Sequence, residues 1–166
     1  FEPDIRVTLD EANKSKYRGF RLFIEDAGAS VGVTDDQTLL GYTYTQSTFR
    51  EGIYSGNQVP LVPHNSASAK IAWDGGAIGK YALVTTYVGD RYFSGDYANS
   101  LDKLAGYTTV DLTAAWDFKP WSISARLLNA FDKVYAPFAG YSAFQGFYYY
   151  PADGRTFLMT ASYAFR

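Results

Sequence analysis

From Thr156 to Phe165 the chain is apolar at every second position. Phe157, Met159, Ala161, Tyr163 and Phe165 share one face; Thr156, Thr160 and Ser162 share the other, with Leu158 the one apolar residue among them. A repeat of two is the signature of a β-strand with one greasy and one polar side. The alternation recurs upstream. Val110, Leu112, Ala114 and Trp116 oppose Thr109, Asp111, Thr113 and Asp117, and Trp121, Ile123, Ala125 and Leu127 oppose Ser122, Ser124 and Arg126. No stretch shows convincing helical spacing, so the chain is constrained to an all-β fold.

The pattern predicts eight strands. The first carries Ile5, Val7 and Leu9, and the others run over about 17–26, 37–48, 65–74, 79–90, 107–117 and 121–129, with the eighth starting at Thr156. Gly28 to Asp36, rich in small residues, reads as a connector, and Asn13 to Lys16 as a polar turn. The connectors 49–64, 91–106 and 136–153 are long. Those around Gly75-Gly76 and Lys119-Pro120 are only a few residues. Short turns on one side and long loops on the other are expected of an antiparallel up-and-down transmembrane β-barrel, with the turns periplasmic and the loops extracellular.

A soluble β-sandwich would give the same alternation, burying one face and wetting the other. The aromatics favour a membrane. They make up 18% of the 166 residues, with 15 Tyr, 12 Phe and 3 Trp. Trp73, Trp116 and Trp121 fall at the short-turn ends of their strands, while Tyr and Phe crowd the long-loop ends. Two aromatic belts match two membrane interfaces. A spanning helix is excluded, since no apolar run reaches about 20 residues. The formal charge of −2 leaves no basic footprint for nucleic acid.

Catalytic and metal chemistry find little support. There is no Cys and one His, His64, between Pro63 and Asn65. A zinc site wants three or four such ligands. No Gly-x-Ser-x-Gly elbow and no Gly-rich phosphate loop is present. Asp35-Asp36 reads as a polar turn, with no spaced carboxylates following it. The chain is therefore read as a non-enzyme without cofactor or metal ligands of its own. The function-like stretch is the third long connector, where Tyr141, Phe144, Phe147, Tyr148, Tyr149 and Tyr150 lie within ten positions. Such side chains offer broad, fairly rigid contact area with hydroxyl hydrogen bonds. Candidate ligand-binding residues in the long loops are Tyr54, Arg91, Tyr92, Tyr141, Phe144 and Phe147. Tyr148 to Tyr150 read equally as outer belt or strand, and Arg91 and Arg155 as anion contacts or local hydrogen-bond donors.

The stretch Asn129-Ala130-Phe131-Asp132-Lys133-x-Tyr135, then Gly154-Arg155-Thr156 and a terminal strand carrying Phe165, resembles the C-terminal end of TonB-dependent outer-membrane receptors. Further pieces follow the family's order: Gly41-Tyr42-Thr43-Tyr44, Gly56-Asn57-x-Val59-Pro60, Tyr87-Val88-Gly89-Asp90-Arg91-Tyr92 and Gly106-Tyr107-Thr108-Thr109-Val110-Asp111-Leu112. Ala130 stands where the family has leucine, and Arg166 follows the aromatic expected at the terminus. The resemblance implies a C-terminal portion, residues 1–166, of a 22-stranded receptor barrel in the bacterial outer membrane, without the plug domain and TonB box. The implied partners are outer-membrane lipid, the N-terminal barrel and plug of the same receptor, the TonB system and a bulky ligand, typically a ferric siderophore, sometimes cobalamin. The chain begins on Phe1 with no leader pattern, which is read as a fragment or processed product. A complete eight-stranded barrel of structural or adhesive role, its first strand paired with its eighth, and a soluble β-sandwich binding module are the alternatives.

Overall fold

The computed structural model describes residues 20–25, 28–34 and 38–165, with side chains from residue 38 onward. Eight strands form one antiparallel sheet: β1 (Phe20–Glu25), β2 (Gly28–Thr34), β3 (Thr38–Thr45), β4 (Asn65–Asp74), β5 (Lys80–Val88), β6 (Tyr107–Phe118), β7 (Trp121–Leu128) and β10 (Thr156–Tyr163). Each pairs with the next, a meander. A separate hairpin, β8 (Phe138–Ser142) and β9 (Gly146–Tyr150), is built into the connector between β7 and β10.

Two expectations need correction. Gly28 to Thr34 is not a connector but strand β2, paired along its length with both β1 and β3. In sequence Val31 and Val33 alternate with Ser30, Gly32 and Thr34, but two glycines and small residues dilute the apolar signal. Ladder hydrogen bonds to neighbours on both sides hold such a strand despite weak propensity. The third long connector is likewise not irregular throughout, since 138–150 is mostly hairpin. The strand proposed around Ile5 and the turn at Asn13 lie outside the described residues. So does the test of first-to-eighth pairing. Within the described sheet the edges are β1 and β10, and the sheet is open.

The strand faces follow the sequence alternation. Ile71, Leu83, Leu112, Leu127 and Phe157 lie side by side across five strands, partner against partner. Trp73, Tyr81, Ala114, Ala125 and Met159 form the next row. The opposite face presents Lys70, Thr86, Thr109, Asp111, Thr113, Ser124 and Arg126. Neither face is covered. Phe157 is 64%, Met159 62% and Ile71 57% exposed, and among the described residues no second sheet lies across them. A soluble protein rarely leaves so continuous an apolar surface bare. Lipid on one face and an aqueous lumen on the other accounts for both. β4 and β6, of 10 and 12 residues, are long enough to cross the hydrocarbon at a tilt.

At the short-turn end the aromatics form a belt. Trp73 stacks on Tyr81 at 5.5 Å, and Tyr81 meets Trp116 edge-on at 6.1 Å. The Trp116 indole donates to the Tyr81 hydroxyl, which itself donates to the Ile78 carbonyl at 2.6 Å. Trp121 meets Tyr163 at 4.9 Å and Tyr163 meets Phe165 at 4.8 Å. Rings with an apolar body and a satisfied polar tip suit an interface between hydrocarbon and water. The buried apolar cluster is small and lies at the other end, among the loops: Phe93, Leu104 and Ala139.

Candidate functional site

Three long connectors leave the same edge of the sheet: 46–64 after β3, 89–106 after β5 and 129–155 after β7. The first folds back on itself, with Thr48 bridged to Gln58 and the amides of Phe49 and Gly56 exchanging bonds with the carbonyls of Asn57 and Phe49. Gly52 and Gly56, both at φ +86°, supply the left-handed backbone by which it turns at its tip.

The first connector is tied to the second. The Gln58 amide donates to the Asn99 side chain at 2.6 Å, and the Asn99 side-chain amide donates back to the Gln58 carbonyl at 3.0 Å. The Leu61 amide donates to the Tyr92 carbonyl. Phe49, Tyr54 and Tyr97 form a ring triad with centroids 5.7 to 6.3 Å apart. Asp96, buried, holds the second connector in shape by accepting from the Ser100 and Leu101 amides and the Ser100 hydroxyl.

The second connector is tied to the third. Ser94 lies parallel to Gly140 as an extra strand on the β8–β9 hairpin, its amide donating to the Ala139 carbonyl and its carbonyl accepting from the Tyr141 amide at 2.8 Å. Gly95, at φ +92°, passes too close to the Tyr141 carbonyl for any side chain. Phe93 inserts edge-on against Phe147 at 5.1 Å and Tyr149 at 5.8 Å. On the hairpin's other face, Phe138, Tyr148 and Tyr150 cluster, with the Tyr148 ring filling the space over Gly140 that a Cβ would occupy.

Arg91 joins the same two connectors. It is 3% exposed, and its guanidinium donates to the carbonyls of Pro137 at 2.8 Å, Ala136 at 3.1 Å and Gly89 at 3.4 Å. It also lies 5.6 Å over the Tyr107 ring, which stacks on Tyr135 at 4.0 Å. Burial pulls the guanidinium below its ordinary pKa, with Tyr107 opposing, and burial raises the Tyr135 phenol, helped by Tyr107, Asp111 and Asp153.

The family-like motif turns out to be the base of the third connector. Asn129, buried, donates its side-chain amide to the carbonyls of Lys133 and Asp153 and accepts from the Lys133 amide, while its own backbone amide donates to Asp111 on β6. Asp132 accepts from the Arg155 amide at 2.8 Å. Asn129 and Asp132 sit at φ +48° and +54°, a conformation Asn and Asp tolerate better than other side-chain-bearing residues. The two ends of a loop of more than twenty residues are thereby stapled together.

The six sequence candidates separate. Tyr141, Phe144 and Phe147 lie on the hairpin, with Phe144 wholly exposed at its tip. Phe147 is half-exposed and shares its ring with Phe93 and Tyr141. Tyr54 lies in the triad. Tyr92 carries Lys103 over its ring at 5.2 Å. Arg91 is buried, with its guanidinium on main-chain carbonyls. Sequence reasoning passed over Tyr97, half-exposed in the triad, and Asn99, which links the loops. Isolated loop residues carry no periodicity to mark them. Among the described residues no cluster of three or more metal-binding side chains occurs.

A family model for "TonB dependent receptor-like, beta-barrel" matches residues 6–130. The chain belongs to the TonB-dependent receptor β-barrel family, a family of transport receptors. A comparison with curated proteins finds no match. Among solved structures the chain is similar to the ferric-catecholate import receptor Fiu of E. coli K12, at 20% identity and TM-score 0.66, covering 81% of this chain and 20% of that one. The siderophore receptor PiuA of Acinetobacter baumannii matches at 24% identity and TM-score 0.62, covering 81% and 21%. The ferric yersiniabactin uptake receptor FyuA of Yersinia pestis matches at 21% and 0.60, covering 82% and 24%. The chain thus spans a fifth to a quarter of the length of these structures, and at these identities they speak to the fold alone.

Proposed function

We propose that residues 1–166 form the C-terminal portion of a larger receptor barrel in the bacterial outer membrane, which takes up a bulky ligand, a ferric siderophore, with energy relayed by TonB. The remaining strands, the plug and the TonB-contacting box belong to the part of the receptor outside these residues. The observation that carries this reading is the match to the family model along most of the chain. The sheet, open among the described residues, and structural neighbours named for ferric siderophores support it. The aromatic loops supply rings and hydroxyls of the kind that grip a large, partly aromatic ligand. Tyr54, Tyr92, Tyr97, Tyr141 and Phe144 are the ligand-facing candidates.

Growth under iron limitation tests the ligand class. Cells lacking the receptor should lose growth on one ferric siderophore supplied as the only iron source and keep it on the others. Growth unchanged on every siderophore of a broad panel would sink the ligand class. Fractionation tests the location: the protein should leave the outer membrane only with detergent, and recovery in the aqueous fraction would refute a barrel.

A further inference from the structure

Arg91 was a candidate for meeting an anionic ligand, yet it is buried, and its guanidinium donates to two carbonyls of the neighbouring connector and to Gly89 of its own. We propose that Arg91 is a positioning residue, whose guanidinium locks the 89–106 connector onto the 129–155 connector so that the two move as one body. Three independent contacts point the same way. The guanidinium on β5's outgoing chain holds Pro137 and Ala136, at the entry to the hairpin. Ser94 adds main-chain bonds to Ala139 and Tyr141 a few residues further. Phe93 fills the space between them against Phe147 and Tyr149. A planar donor fork suits several carbonyls at once, and its flat face suits the Tyr107 ring below. The cation is solvated by carbonyl dipoles instead of water, so removing it strands three acceptors and loosens the seam.

The consequence for recognition rests on the proposed receptor role: Tyr141 and Phe144 would reach a ligand only as part of a unit that includes the second connector. The lock itself does not depend on that role, and it can be read without a ligand.

Hydrogen exchange on the detergent-solubilised full receptor provides the test. In the unmodified protein the Ser94 and Tyr141 amides should exchange together, on the order of a hundredfold slower than the amide of Phe144 at the exposed tip. Arg91→Met should speed both by about tenfold or more, with the amides of β6 and β7 unchanged. Arg91→Lys, which keeps the charge and a donor, should recover part of the protection. Ser94 and Tyr141 exchanging as fast as Phe144 in the unmodified receptor would overturn the proposal, and that measurement needs no variant to fold. Equal exchange in Arg91→Met and the parent would overturn it too. Undiminished growth on every ferric siderophore by cells lacking the receptor, with the Ser94 and Tyr141 protection intact, would instead count against the receptor reading alone.

Discussion

Asn129 shows how much one side chain can fix. It has left strand β7 at a positive φ, and its side-chain amide closes the base of the third connector while its backbone amide ties that base to β6. Asn129→Ala removes the side-chain bonds to Lys133 and Asp153, a loss of about 0.5–1.5 kcal/mol for each bond from the loop base. Because the barrel wall does not depend on it, the expected outcome is faster proteolysis within 130–155, with the heat-resistant mobility of the folded barrel preserved. Unchanged proteolysis would mean the staple is redundant with the Asp132 bond to the Arg155 amide. Gly140 is fixed by a neighbour instead of by its own dihedral. Any side chain there meets the Tyr148 ring, so Gly140→Val should swing Tyr148 outward and weaken the hairpin, seen as a rise in tyrosine accessibility to iodination.

Elements differed in how plainly the sequence announced them. β4, β6, β7 and β10 were legible because a membrane wall demands strict alternation: each apolar residue must meet lipid and each polar one must meet the lumen. β2 was missed because its glycines and Ser30 dilute the apolar alternation in the sequence, while ladder pairing with strands on both sides defines it. β8 was missed, and β9 was read only at Tyr148 to Tyr150 and then as outer belt or strand alike, for the opposite reason. Tyr148, Tyr149 and Tyr150 are aromatic on both faces, so no alternation appears, and the hairpin is stabilised by Phe93 from a distant connector. The loop bonds of Gln58 with Asn99 and of Arg91 with Pro137 join residues about 40 to 46 positions apart, a separation no local pattern reports. The belt at the short-turn end was legible as three tryptophans, though Tyr81, which joins two of them, was not. Tyr81→Ala should remove the partner of both Trp73 and Trp116, and a blue-shifted or red-shifted tryptophan emission would register it. Trp emission unchanged would show that the rings are placed by lipid and not by one another.

At the scale of the molecule the question is which side of the wall meets lipid. Among the described residues the sheet has no buried core of its own, and the few buried apolar residues belong to the loops. Its stability must therefore come from ladder hydrogen bonds, which hydrocarbon makes indispensable, and from covering the apolar face with acyl chains. Leu83 and Leu112 sit opposite each other in the middle row, between Tyr42 and Tyr87 toward the loops and Trp116 and Trp121 toward the turns. Leu112, at the middle of β6 and two rows from the belt residue Trp116, should lie near the bilayer midplane. Leu112→Arg would then cost about 2–4 kcal/mol, the usual penalty for arginine facing lipid at that depth. Thr113→Arg, one residue along and on the opposite face, should cost no more than about 1 kcal/mol, repulsion from its cross-strand partner Arg126 included, as it points to water. Denaturant titrations of the receptor folded into lipid vesicles would measure both. A large penalty at position 113 with none at 112 would reverse the sidedness assigned here, and similar small costs at both would mean that neither face meets lipid. The asymmetry is the stronger quantity, because the two substitutions share a strand, a depth and a side chain and differ only in the face they occupy.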